Sequence, residues 1–496
     1  MACLTNNSMH NNHETTSERE LKGLSQIPSG KIGCSSCTDP KKAVLIVAAF
    51  AAFLTPFLGS SVNLALPSIG KDLGASAIEM GWVISSFILS SAISLIPFGK
   101  LADIVGRKRV FSAGLLLFTL STIIIVFSRS FAFLIVMRIC QGISSAMIFG
   151  TSLAIITSVF EPGQRGRAMG INVTAVYLGL SAGPIIGGFL TQYLGWRSIF
   201  AFLVPFGIAS LVLIKLKIKD EWADSRTERF DTAGSMFYAI SLFSLIYGFS
   251  TLPSVTSWIL ILSGIVLGTL FFMYEKRIDN PVFDIRLMLQ NKVFAFSGIA
   301  ALIHYSATSA TGFFISLYLQ YLKGFDARTA GFIMISQPVM MALLSPLAGR
   351  LSDRRNPGVI ASYGMGLTAA GLVMLCFVNE RSHLIMIVSL LVIMGVGFGL
   401  FSSPNANAIM SSVEKSHYGV ASGVVGTMRM TGQMLSMGIA MMLISVYLGK
   451  EQIDPANYSR LLAGMRTGFG IFSVLSVLGI FASLARNNGI PSKLQD

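Results

Sequence analysis

The chain has 496 residues, of which 53% are hydrophobic and only 12% are charged. A soluble domain usually carries about twice that share of charge, so the composition excludes an ordinary soluble globular protein. The formal net charge of +14 would also suit nucleic-acid binding. The basic residues lie between apolar blocks rather than in one patch, so they indicate membrane topology and contact with anionic lipid instead.

The N-terminal tail, residues 1–42, is polar and has no apolar core before a cleavage site, so no signal peptide is expected. The tail contains Cys34 and Cys37, with His10 and His13 upstream. A metal or redox site is one interpretation of these residues. A disordered cytoplasmic tail with free thiols is the preferred one.

The apolar residues fall in blocks of roughly 18 to 25 residues, the length a helix needs to cross ~30 Å of hydrocarbon. A backbone in lipid must satisfy its own hydrogen bonds, so each block predicts a transmembrane helix. The predicted spans lie near residues 43–63, 80–99, 110–128, 131–157, 167–192, 197–216, 232–250, 256–274, 293–321, 329–349, 357–378, 384–411, 418–447 and 467–486.

Most of the 37 Lys and Arg residues fall in the segments that share a side with the N-terminus. The positive-inside rule therefore predicts a multi-pass protein of the plasma membrane with both termini in the cytoplasm. The loops are too short for a soluble catalytic domain, and no phosphate-binding loop of the G-x-x-x-x-G-K-[ST] type occurs. We expect no enzyme activity, no cofactor, no metal and no nucleic-acid partner, and we expect a monomer.

The loop after the second span, residues 99–109, combines glycines, an acidic residue and a basic cluster. Its glycines allow close helix approach and a tight reversal. Its carboxylate lies beside the cations, so charge pairs could form on one side of the membrane and break when two halves of the protein move. An ordinary positive-inside loop is the alternative. The predicted gate residues, including one from a similar loop after the tenth span, are Gly99, Asp103, Gly106, Arg107, Arg109 and Asp353.

Polar residues inside the spans are candidates for a substrate or proton pathway. A cation at that depth is costly, so Arg138 should face protein or water, unless it snorkels to the interface. His304 would carry a proton or act as a neutral hydrogen-bonding group. Asn405 and Arg429 would line an aqueous cavity or make structural hydrogen bonds. The predicted pathway residues are Arg138, Gln141, His304, Asn405 and Arg429.

The fifth span carries small residues four positions apart, which let a neighbouring helix pack on its backbone. A proline among them removes one helical hydrogen bond and bends the span. A tight, bent seam of this kind would seal one side of a transporter. The residues are Gly179, Gly183, Pro184, Gly187 and Gly188.

The two ends of the chain resemble each other. Residues 99–103 after the second span match residues 349–353 after the tenth. The openings of the fifth and thirteenth spans also match, with Gly179 and Gly432 at the same offset. Spans 1–6 therefore resemble spans 9–14. Such repeats are typical of transporters that rock two halves around a central site.

The predicted fold class is an all-α membrane protein of about 14 transmembrane helices, with two six-helix bundles related by pseudo-symmetry plus two inserted helices. The predicted domains are the N-terminal tail 1–42, a first bundle 43–216, a linker with helices 7 and 8 at 217–292, a second bundle 293–487 and a C-terminal tail 488–496.

These motifs resemble those of the major facilitator superfamily, and more closely its fourteen-helix drug:proton antiporter branch. The resemblance runs from about residue 44 to 487. The similar segments are the loop 99–109, the helix 4 motif 138–142, the helix 5 antiporter motif 179–188, the start of helix 6 at 196–207, and 280–287, 318–320 and 349–354 in the second half. The resemblance implies efflux of amphipathic or cationic compounds in exchange for protons. It also implies that Asp103 and Arg107 act in the cytoplasmic gate and that Arg138 helps proton coupling.

The sequence departs from that branch in helix 1, where Leu58 occupies the usual acidic position. No Asp or Glu lies deep in a predicted span, although a carboxylate is the usual proton carrier in membranes. Arg138 and Arg429 would suit an anionic or neutral substrate. The leading hypothesis is a secondary exporter of hydrophobic small molecules that works by alternating access. The sequence leaves open whether export is coupled to protons. The alternative is a uniporter or importer of a specific, even anionic, metabolite without proton coupling.

Overall fold

Long helices make up the part of the chain that the computed structural model describes. The described residues are 40–160, 162–218, 221–222, 230–252, 254–278, 291–352, 354–413, 418–449 and 451–486. The fourteen long helices of these residues are α1 (Pro40–Leu73), α2 (Ala77–Val105), α3 (Arg107–Val126), α4 (Phe131–Val159), α5 (Pro162–Leu194), α6 (Arg197–Lys217), α7 (Thr232–Ser250), α8 (Val255–Glu275), α9 (Lys292–Leu322), α10 (Ala327–Ser352), α11 (Pro357–Leu375), α12 (Leu384–Ser411), α13 (Tyr418–Leu448) and α14 (Tyr458–Ala485). Helix α9 ends in a π-helical turn, Tyr318–Leu322.

The fourteen predicted spans are confirmed, because each matches a helix that is long and apolar enough to cross a membrane. Three predicted boundaries were wrong. Helix α2 continues to Val105 instead of ending at residue 99, so most of the predicted loop 99–109 is helical. Helix α1 continues past residue 63 to Leu73. The Asn63 side chain donates to the Gly59 carbonyl of the same helix, so this polar residue does not end it. Helix α14 begins at Tyr458 rather than 467. Its first turns contain Arg466, a charged residue that led to a later predicted start of the helix. In the structure Arg466 donates to the Val378 carbonyl at 2.8 Å, so the helix accommodates this cation.

The packing of the helices confirms two related six-helix bundles with two inserted helices. In the first bundle α1 packs on α5 and α6, α2 on α4, and α3 on α4 and α6. The second bundle repeats this scheme, with α9 on α13 and α14, α10 on α12, and α11 on α12 and α14. The inserted helices α7 and α8 pack on each other, and α7 also contacts α2 and α13. The exact domain boundaries stay a prediction.

Equivalent close contacts recur in the two bundles. A methyl group added at Gly179 of α5 would lie 2.6 Å from the Phe53 carbonyl oxygen of α1. A methyl group at Gly432 of α13 would lie 2.5 Å from the Leu302 carbonyl oxygen of α9. Both helix pairs therefore approach with backbone against backbone, which only glycine allows.

Two seams join the bundles, α2 against α13 and α5 against α10, and α1 also contacts α9. We call the end of the molecule where α1 begins the tail face, and the opposite end the distal face. Under the pseudo-symmetry, α2 corresponds to α10 and α5 to α13. The two seams are thus equivalent, as expected for halves that can tilt about a shared axis.

Replacement of Gly179 by alanine should destabilise the protein by about 1–3 kcal/mol, because the new methyl group meets the α1 backbone. Gly170→Ala on the same helix is the matched control, since no atom lies within 4 Å of the place that its methyl group would occupy. The melting temperature of purified protein in detergent measures both. Equal melting temperatures for the two variants would contradict the packing described for α1 and α5.

Candidate functional site

The predicted gate loop joins α2 to α3 through one residue, Gly106, whose φ is +127°. Residues other than glycine rarely adopt that backbone conformation. Asp103 in the last turn of α2 pairs with Arg107 in the first turn of α3, with Asp103 Oδ1 2.8 Å from Arg107 Nη2 and 2.9 Å from Nε. Arg107 also donates to Ser158 Oγ of α4 at 2.9 Å. The structure thus brings three predicted gate residues together and ties them to α4.

A carboxylate that was not predicted from the sequence, Glu221, completes this loop. Glu221 follows α6, and its Oε1 accepts the backbone N–H of Lys108 at 2.9 Å and of Arg109 at 3.4 Å. Its Oε2 lies 3.7 Å from Arg109 Nε. The backbone carbonyl of the next residue, Trp222, accepts a hydrogen bond from the backbone N–H of Arg107 at 2.8 Å. The first N–H groups of a helix lack partners inside it, so Glu221 both caps α3 and neutralises its positive end.

Gly99 of α2 lies near the tail face, and a methyl group added to it would have no atom within 4 Å. A methyl group added at Gly150 of α4 would lie 3.6 Å from the Gly99 Cα. The equivalent Gly349 of α10 faces Ser403 of α12, and a methyl group added there would lie 2.7 Å from the Ser403 Oγ. Asp353 lies outside the described residues. The gate loop of the first bundle is therefore the half of this predicted pair that the structure describes.

Arg138 is buried inside the first bundle, 1% exposed, and does not snorkel to the interface. Its Nε donates to the Val83 carbonyl of α2 at 2.9 Å, and its Nη1 donates to Gln141 Oε1 at 2.9 Å. Gln141 Nε2 in turn donates to Thr122 Oγ1 of α3 at 2.8 Å. The guanidinium lies 4.4 Å from the centre of the Phe87 ring. These contacts bind α2, α3 and α4 together, and a role of Arg138 in proton coupling stays a prediction.

The small residues of α5 face two different helices. Gly183 and Gly187 meet α1, where Ser61 Oγ donates to the Gly183 carbonyl at 3.0 Å. Gly188 meets the other bundle, and a methyl group there would lie 2.5 Å from a backbone carbonyl oxygen of α10. The Pro184 carbonyl faces α10 as well. This motif is therefore part of the α5–α10 seam as well as of the first bundle.

Hydrogen bonds between α1 and α9 also join the bundles on the distal side. Ser316 Oγ of α9 donates to the Asn63 carbonyl at 2.6 Å. Gln320 Nε2 donates to the Leu64 carbonyl at 3.2 Å. Together with Gly188, these bonds bring the distal ends of the two bundles into direct contact.

A cavity of about 560 Å³ lies at the distal face. Both bundles line it, with Lys71 and Gln192 from the first and Gln320, Asp326 and Gln452 from the second. Hydrogen bonds from the Thr329 side chain and backbone lower the pKa of the Asp326 carboxyl, so it stays charged there. The cavity is a polar vestibule outside the contacts between α1 and α9.

His304 is fully buried in α9 among aromatic rings. Its ring stacks on Phe401 of α12 with centres 4.0 Å apart, and Phe398 lies at 5.1 Å. Within the described residues, neither ring nitrogen has a hydrogen-bond partner. A buried polar group left unpaired lowers the stability of a protein by ~1–3 kcal/mol, so His304 destabilises the fold at this position. Its predicted role as a proton carrier is untested.

Asn405 lies beside Arg486 rather than beside Arg429. Its Oδ1 accepts from Arg486 Nη1 at 2.7 Å, and its Nδ2 donates to the Ser297 carbonyl at 3.1 Å. Arg486 also donates to Ser297 Oγ at 3.0 Å and to the Pro357 carbonyl at 3.3 Å. Arg486 was not predicted from the sequence because it stands at the end of an apolar span, where a basic residue is ordinary.

Arg429 lies where α13 faces the first bundle. Its guanidinium carbon is 5.3 Å from the centre of the Phe149 ring of α4. The Tyr305 hydroxyl of α9 interacts with the Arg429 side chain and with Ser402 of α12. Arg429, Phe149 and Ser402 are partly exposed. We call these four residues (Arg429, Phe149, Tyr305 and Ser402) the Arg429 site.

Acidic residues are confined to helix ends in the described spans. Asp72, Glu79, Asp103 and Glu275 each lie within three residues of the end of a span. Leu58, at the position where the antiporter branch carries an acid, is fully buried. Arg429 therefore has no carboxylate at its own depth in this part of the chain.

Comparisons with known proteins agree with this architecture. A family model described as "Major Facilitator Superfamily" matches residues 48–437 and 297–493. The chain is 29% identical over 389 residues to the riboflavin transporter RibZ of Clostridioides difficile (strain 630), covering 78% of this chain and 85% of that protein. It is 28% identical over 411 residues to the tetracenomycin C resistance and export protein of Streptomyces glaucescens, covering 82% and 76%. The crystal structure of a bacterial homolog to the human lysosomal transporter Spinster matches with a TM-score of 0.65 and 17% identity over 90% of this chain and 97% of that one, which shows a shared fold.

Replacement of Glu221 by alanine should expose the backbone N–H groups at the start of α3. Hydrogen bonds to charged groups contribute ~1.5–3 kcal/mol, so amide exchange in this turn should quicken roughly tenfold or more. Hydrogen–deuterium exchange with mass spectrometry on a peptide spanning residues 104–112 measures this. Lys217→Ala, in the last turn of α6, is the control and should leave the rate unchanged. Unchanged exchange in both variants would show that Glu221 does not cap α3.

Proposed function

The chain belongs to the major facilitator superfamily, and on this premise we propose that it is a secondary transporter that exports hydrophobic small molecules by alternating access. The observation that carries the proposal is the pair of equivalent seams, α2–α13 and α5–α10, between two pseudo-symmetric bundles. Rocking about such seams exposes a central site first to one side of the membrane and then to the other.

Contacts across the seams hold the two bundles together on the distal side. On the distal side, Gly188 meets α10 and Ser316 bonds to Asn63. At middle depth the Tyr177 hydroxyl of α5 donates to Ser345 Oγ of α10 at 2.8 Å. We infer a conformation that is closed on the distal side. Export fits the family, in which the relative from Streptomyces glaucescens is named an export protein.

Proton coupling would need a titratable group inside the spans. The carboxylates of the described spans lie at helix ends, so none is placed to carry a proton through the centre. His304 is a titratable residue next to Tyr305 of the Arg429 site. We propose His304 as the residue that would carry the proton.

A second candidate function is the uncoupled transport of a specific, anionic metabolite. The confinement of carboxylates to helix ends and the central position of Arg429 favour it. The similarity to a protein named as a riboflavin transporter also supports a single metabolite as substrate. We further propose that the protein works as a monomer in the plasma membrane with both termini in the cytoplasm.

Expression in a host that lacks its own major exporters should lower the accumulation of amphipathic dyes and raise drug resistance severalfold. Gly188→Leu should abolish this effect, because a side chain there blocks closure of the α5–α10 seam. Gly170→Leu on the same helix meets open space and should retain it. Dye accumulation per cell, normalised to protein in the membrane, is the measurement. Absence of export by the wild type would overturn the proposed function.

A flux assay in proteoliposomes with and without an imposed pH gradient tests the coupling. If His304 carries the proton, His304→Phe should retain folding, since an aromatic ring again stacks on Phe401, but lose the response to the gradient. Wild-type flux that ignores the gradient would show an uncoupled carrier. Flux of the variant that still follows the gradient would place the proton carrier elsewhere.

A further inference from the structure

We propose that the Arg429 site binds the transported molecule and that it recognises an organic anion, an aromatic ring system carrying a carboxylate, sulfonate, phosphate or other acidic group. The proposal rests on the proposed function, since it names the substrate class of that carrier. Its four residues come from α4 of the first bundle and from α9, α12 and α13 of the second, so both halves would hold the substrate.

Charge is the first reason. Arg429 stands between the bundles, whereas the acidic residues of the described spans stand at their ends. A cation that has no countercharge at its own depth among the described residues is costly inside a helix bundle, so this position favours a mobile anion. Low-dielectric walls also concentrate the field of such a charge.

Unused hydrogen-bonding capacity is the second reason. Arg138 donates through Nε and Nη1 to α2 and α4. Arg486 donates through Nη1 and Nη2, although its Nε is also buried without a partner among the described atoms. Arg429 instead rests on the Phe149 ring and interacts with the Tyr305 hydroxyl, and its Nε is buried with no partner among the described atoms. A guanidinium offers five N–H donors in a planar fork that fits two oxygens of one acidic group.

Aromatic surface is the third reason. Phe149 lies 5.3 Å from the guanidinium carbon on one side of the site. Tyr305 lies 5.5 Å, ring centre to ring centre, from Phe398, which continues into the stack formed by His304 and Phe401. Planar ring systems bind well between such surfaces, and a guanidinium can itself stack on them. The site thus matches a flat ring and one acidic group together.

Partial exposure distinguishes Arg429 from the structural arginines. Arg138 and Arg486 are each 1% exposed and therefore out of reach of a solute. Arg429, Phe149 and Ser402 are partly exposed instead. A small molecule can therefore contact the Arg429 side chain without displacing a buried residue.

Binding of two xanthene dyes to the purified protein tests the proposal. Fluorescein and rhodamine 123 share one ring system but carry opposite charge at neutral pH. We expect the wild type to bind fluorescein more tightly than rhodamine 123, measured by fluorescence anisotropy. Arg429→Gln should weaken fluorescein binding roughly tenfold or more, since a charge-assisted paired contact is lost, and should leave rhodamine 123 unchanged.

Two further variants keep the test decisive. Arg429→Lys retains the charge without the planar fork and should fall between the wild type and Arg429→Gln. Arg460→Gln removes an exposed cation from α14 and should bind both dyes as the wild type does. Elution as a single species and an unchanged melting temperature establish folding. If Arg429→Gln fails to fold, Arg429→Lys carries the comparison.

Binding and transport separate this inference from the proposed function. Fluorescein binding that depends on Arg429, without flux in proteoliposomes, would support the anion site and overturn export. Export of either dye with affinities that ignore Arg429 would overturn the anion site and leave export standing. Equal weakening of both dyes in Arg429→Gln would also overturn the anion site, because a loss that does not depend on ligand charge reflects a change in shape.

Discussion

The cost of placing charge in a low-dielectric helix bundle decides where ionisable side chains lie in this protein. Acidic residues of the described spans stand at helix ends, where Asp72 pairs with Arg197 at 2.7 Å and Asp103 with Arg107 at 2.8 Å. Arg138 lies deeper and is held by carbonyl, amide and ring contacts that let a cation remain buried. Against that background Arg429 stands out, because its contacts are an aromatic face and a hydroxyl.

The second constraint is steric and is expressed through glycine. Between α1 and α5, and between α9 and α13, Gly179 and Gly432 bring backbones together at equivalent points. The same close approach occurs between the bundles at Gly188, so α5 packs closely both inside its own bundle and against the other bundle. A seam made of small residues buries few long side chains, so it can open with little repacking. The proposed rocking of the bundles would use these small-residue seams.

The sequence predicted most of the fold for a clear physical reason. Lipid requires every span to be long and apolar, and both properties are visible directly in the sequence. The repeat was visible because equivalent glycines are needed where equivalent helices pack closely. Boundaries failed where a polar residue is satisfied within the structure, as Arg466 is by the Val378 carbonyl. Glu221 was not predicted because its shortest bond is to a backbone N–H group, which carries no sequence signal, and because its side-chain partner Arg109 lies 112 residues away. Asn405 was placed beside Arg429 from depth alone, but helix rotation turns it towards Arg486.

The absence of central carboxylates in the described spans has an electrical consequence. A carrier that returns with Arg429 empty and crosses with an anion bound moves net charge in each cycle. A membrane potential of about 100 mV acts on one elementary charge with about 2.3 kcal/mol. That energy supports a concentration ratio of roughly 50-fold. An interior-negative cell would thus drive an anion outward through these two bundles by voltage alone, and the leucine at position 58 would then mark a change of energy source rather than a defect.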